Sequence, residues 1–111
     1  MATIKDNFTQ MKNMSELMVD LAYSAVFLRD KKLAEQVLVK YKDMEQLEEN
    51  TLKLFFRIKI PEEEMVKLVG LMSSIMEIAN AARKIADLSD TKHYPPILHD
   101  ILKDHRIKSV K

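Results

Sequence analysis

One hundred and eleven residues, 47% of them hydrophobic and 32% charged, describe one folded domain rather than a disordered chain. Eighteen Lys and Arg stand against seventeen Asp and Glu, so a net charge of +1 supplies no broad field for nucleic acid or anionic lipid. The lack of cysteine excludes disulfides, thiolate metal sites and cysteine nucleophiles.

One glycine and three prolines leave room for only a handful of turns, which predicts long helices. The first predicted helix carries Ile4, Phe8, Met11, Met14, Met18, Leu21, Ala22, Ala25 and Leu28 at three- and four-residue steps, with Thr3 as its N-cap. Arg29-Asp30-Lys31-Lys32 interrupts the pattern and reads as a short connection between antiparallel helices. The second helix carries Leu33, Val37, Tyr41, Met44, Leu47, Thr51, Leu54, Phe55 and Ile58.

Pro61 suits the first turn of the third helix, and Glu62, Glu63 and Glu64 sit where the helix dipole favours anions. This helix is expected to run to about Ser89. Met65, Leu68, Met72, Ile75, Ala79, Ala82 and Ala86 make one face, and Val66, Val69, Ile78 and Ile85 are assigned to a second. Small residues at 79, 81, 82 and 86 would admit another helix closely. The chain therefore divides into a three-helix domain over 1–89 and a tail over 90–111. In the tail, Pro95-Pro96 precedes a short amphipathic stretch with Ile97, Leu98, Ile101 and Leu102.

The expected fold is all-α, an antiparallel up-down-up three-helix bundle with a short C-terminal helical tail. One central seam does not use the second apolar face of the third helix. That surplus, with Leu54 and Phe56, predicts a self-association or partner surface made of Val66, Val69, Ile78, Ile85, Leu54 and Phe56, and hence a homodimer; the alternative is that a fourth helix from the tail covers the face. The start of the chain lacks the apolar core of a signal peptide, and no run approaches the ~18 apolar residues of a membrane span. A cytoplasmic protein with no membrane insertion is expected.

No catalytic constellation is visible. One glycine cannot build a phosphate loop, and His93, His99 and His105 stand six apart, not on one helical face. Neither an enzyme nor a cofactor is expected. Glu16 and Asp20, four apart on the first helix, are the best acidic pair for a metal; charges at this spacing more often decorate a wet surface.

Ile78-Ala79-Asn80-Ala81-Ala82-Arg83-Lys84-Ile85-Ala86-Asp87 is similar to the last-helix signature of PhoU domains. Asp43-Met44-Glu45-Gln46-Leu47-Glu48 looks like their second-helix pattern. Met14 to Val26 resembles the first helix of archaeal PhoU-like proteins linked to potassium transport, and Tyr94 to Leu102 resembles the entry to the TrkA C-terminal-type module that follows them. The resemblance covers about residues 4–89 and implies a regulatory adaptor that controls ion or phosphate transport by docking on a transporter or sensor protein. PhoU domains can hold metal through an acid-x-x-x-Asp motif on the last helix. The matching positions here are Met76 and Asn80, neither anionic, so the resemblance does not carry a metal site to this chain.

Overall fold

The computed structural model describes residues 2–89, with side chains from Thr3 onward. The tail over 90–111, with its three histidines and the Ile97–Leu102 stretch, lies outside the described residues. Three helices, α1 (Ala2–Leu28), α2 (Lys31–Arg57) and α3 (Glu62–Asp87), pack against one another in all three pairings. Each is close to 40 Å long at ~1.5 Å per residue. Connections this short leave the chain no choice but to reverse, which gives the expected up-down-up bundle.

The turn between α1 and α2 is tighter than the expected four-residue connection, and its chemistry explains why. Arg29 adopts a left-handed backbone (φ 52°). Its N–H donates to the Val26 carbonyl at 3.3 Å, and the Asp30 N–H donates to the Ala25 carbonyl at 3.0 Å. That pair of bonds is the Schellman closure of a helix C-terminus. Asp30 then starts the next helix, its carboxylate accepting from the backbone N–H of Lys32 at 2.9 Å and of Leu33 at 3.3 Å. Two residues thus end one helix and begin another.

The second connection relies on Pro61, which stands at the N-cap of α3 rather than inside its first turn. Its extended backbone (φ −55°, ψ 142°) turns the chain, and its carbonyl accepts from Met65 N–H at 2.9 Å. Ile60 and Met65 occupy the two positions of a hydrophobic staple, and both pack on the core. Thr3 lies inside α1, so it is not the expected cap.

The core is a seven-residue repeat on each helix. In α1 it is Ile4, Phe8, Met11, Ser15, Met18, Ala22 and Ala25; in α3 it is Met72, Ile75, Ala79, Ala82 and Ala86; in α2 it is Val37, Met44, Thr51 and Phe55. The ends differ in girth. At the end holding the α2–α3 turn, Phe8 stacks on Phe55 with ring centroids 6.2 Å apart. Toward the other end the buried residues of α1 and α3 are mostly alanines (Ala22, Ala25, Ala79, Ala82, Ala86), so α1 and α3 approach closely. The small residues 79, 82 and 86 are therefore used inside the bundle, and only Ala81 faces outward. Leu28, expected on the α1 stripe, is 69% exposed because the chain turns away from the seam there.

Two buried hydroxyls interrupt the apolar seam, and both are satisfied. Ser15 Oγ donates to the Lys12 carbonyl at 2.8 Å. Thr51 Oγ1 donates to the Leu47 carbonyl at 2.7 Å and accepts from Asn7 Nδ2 at 3.1 Å. A hydroxyl bonded within its own helix can occupy an apolar seam at little cost.

Candidate functional site

α3 is the helix whose apolar content exceeds its packing. Its most apolar stretch has a mean hydropathy of 1.3, yet only 22% of that stretch is buried by α1 and α2. By length and composition alone it is also the one helix among the described residues apolar enough to cross a membrane, although it carries Lys67 and Glu77 and contributes five residues to the bundle core. What remains is apolar surface that the other two helices leave uncovered.

Two contacts show where that surface lies. The guanidinium carbon of Arg83 sits 5.2 Å from the centre of the Tyr41 ring, so α2 borders the Arg83 side of α3. The Asn7–Thr51 bond puts α2 on the Asn7 side of α1. The flank of α3 turned away from Arg83 therefore meets the flank of α1 turned away from Asn7.

These placements divide the six residues expected to form one patch. Val69 and Ile78 are nine residues apart, about two and a half turns, and so point to opposite sides of α3. Val69, fourteen residues or about four turns from Arg83, lies on the α2 side; Val66 (67% exposed) is turned further outward, and Phe56 (86% exposed) stands near the end of α2. Ile78 lies on the α1 side, as does Ile85, which is half-buried against the core. Leu54 lies on neither α3 flank; it is half-buried and lines a shallow dip with Asn50, Lys53 and Arg57. A one-helix apolar count cannot assign flanks, because it does not say on which side the neighbouring helices stand.

Three further members were missed. Leu71 (50% exposed) completes a seven-residue stripe with Ile78 and Ile85; that spacing is visible in the sequence. Tyr23 (60% exposed) and Phe27 (68% exposed) touch with ring centroids 4.5 Å apart on α1. Their i, i+4 spacing, off the core register, was the available signal. Together with half-buried Val19 and Val26 they edge the α1/α3 face.

The third face, between α1 and α2, has an open groove of about 440 Å³ lined by Asp6, Thr9, Gln10, Asn13, Met14, Leu17 and Lys40. Of its lining residues only Asp6 and Lys40 carry charge.

Glu16 and Asp20 are not joined by a third ligand among the described residues. Glu16 is exposed and paired with Lys12 at 3.2 Å, and Asp20 is exposed on the same helix. Among the described residues no three carboxylate or imidazole groups come together. At the position of the acid-x-x-x-Asp motif, the Asn80 amide oxygen accepts from Arg83 Nε at 3.2 Å and Nη2 at 2.7 Å. A fixed cation thus stands where the motif would gather negative charge, and a metal ion there would be repelled. Asn80, Arg83 and Tyr41 instead clamp α3 to α2.

A family profile described as the PhoU domain matches residues 8–91. No curated protein matches the chain.

Proposed function

This chain belongs to the PhoU domain family, and from that premise we propose a regulatory adaptor that controls ion or phosphate transport by protein contacts, working in the cytoplasm as a homodimer. PhoU domains are regulatory, generally without catalytic activity, and linked to control of phosphate or ion transport. The observation that supports this reading is the apolar α3 left largely uncovered by its own bundle. A second copy closes the Phe56, Val66 and Val69 surface, and the paired rod presents its ends and remaining faces to a transporter or its sensor. The carrier of function is shape and apolar area, not a reactive group.

The test is affinity capture from the native cell with the tagged full chain. Wild type is expected to retain a component of a phosphate or cation transport system, and Phe56→Glu with Val66→Glu should reduce the yield by breaking the pair. Wild-type captures that return no transporter or sensor component would overturn the proposal.

A further inference from the structure

Gly70 has no explanation inside the protomer. It stands exposed in the middle of α3, and a Cβ there would meet nothing within 4 Å. A glycine inside a helix weakens it relative to alanine. Gly70 lies on the side of α3 turned away from the core, where Val66, Ser73 and Ala81 are also exposed and recur with it at helical spacing. Four exposed charges follow the same side: Glu63, Lys67, Glu77 and Lys84. None of the four joins an ion pair among the described residues, where the pairs are Lys12–Glu16 and Lys53–Glu49.

We infer that a second copy pairs antiparallel along this side of α3, with Ser73 and Ser74 astride the twofold axis. The inference rests on the homodimer reading above and gives it a direction and a register. The charges decide both occupant and direction. From the N-terminus of α3 to its C-terminus they run minus, plus, minus, plus. A twofold copy of the same face runs plus, minus, plus, minus, so each charge meets or neighbours its opposite. A parallel copy would set Glu63 on Glu63 and Lys84 on Lys84. In the antiparallel register Glu63 lies opposite Lys84 of the second copy, Val66 opposite Ala81, and Gly70 opposite Glu77. Lys67 falls about 4.5 Å along the axis from Glu77 of the second copy, within reach of two long side chains. Glycine and serine near the axis let the backbones approach toward the close end of the ~8–10 Å helix spacing, which is the use the protomer lacks for Gly70. The paired stretch, Glu63 to Lys84, is ~32 Å long at ~1.5 Å per residue. Val69 and Ile78, 38% and 46% exposed, add apolar area along its two edges.

The lack of cysteine makes the register directly readable. Full-length Val66→Cys and Ala81→Cys chains are mixed, oxidised and weighed intact, alongside each chain oxidised alone. A disulfide requires Cα atoms within about 7 Å. Disulfides joining one variant to the other are expected to dominate, because like positions lie about 22 Å apart along the axis. Glu63→Lys and Lys84→Glu should each raise the dimer dissociation constant several-fold, and the double variant should return it close to the wild-type value. Like-with-like disulfides, or a double variant weaker than either single one, would overturn the antiparallel register. No disulfide in the mixture, with the wild type still a dimer by light scattering, would overturn the register alone. A monomeric wild type would overturn the homodimer reading with it.

Discussion

Phe8→Ala should lower stability by about 3–5 kcal/mol, a large part of the ~5–15 kcal/mol available to a domain of this size. Phe8 is 8% exposed and stacks on Phe55, itself 2% exposed, at the wide end of the bundle. Truncation removes the buried ring and leaves a void that α1 and α2 cannot close. Their separation there is held by the Asn7–Thr51 hydrogen bond beside the stacked pair. With roughly 4–8 °C lost per kcal/mol, the melting temperature followed by circular dichroism should fall by at least ~12 °C. A fall of only a few degrees would mean that the stacked pair is not central to the core.

Ala82→Leu is expected to fail for the opposite reason. Ala82 is fully buried where α1 and α3 meet through alanines, and three added heavy atoms would force the helices apart. Overpacking of this kind costs typically ~1–3 kcal/mol, and occasionally more. Ala81→Leu, one residue away on the outward side, should change stability by less than ~0.5 kcal/mol. Urea unfolding of the two variants checks the contrast. Equal effects would contradict the close approach of α1 and α3.

The seam was legible in the sequence because the seven-residue spacing of Met65, Leu68, Met72, Ile75, Ala79, Ala82 and Ala86 is a property of one helix. Helix starts were less so. Asp30 looked like one charge in a cluster of four, and only its position after a left-handed Arg29 makes it a cap. Ser15 escaped notice because a serine bonded to its own helix carries no apolar signal. The surface residues were legible individually but not as faces. Exposed Phe56, Val66 and Ile78 could be named, whereas which of them share a face depends on where the neighbouring helices stand. That information resides in contacts such as Arg83 on Tyr41, between positions more than forty residues apart.

The most direct test of α3 as a pairing surface is absolute mass by light scattering across a dilution series. For the full chain, twice the 12.9 kDa protomer mass is expected, shifting toward one protomer in Phe56→Glu/Val66→Glu at unchanged helicity. A wild-type mass of one protomer at every concentration would contradict it.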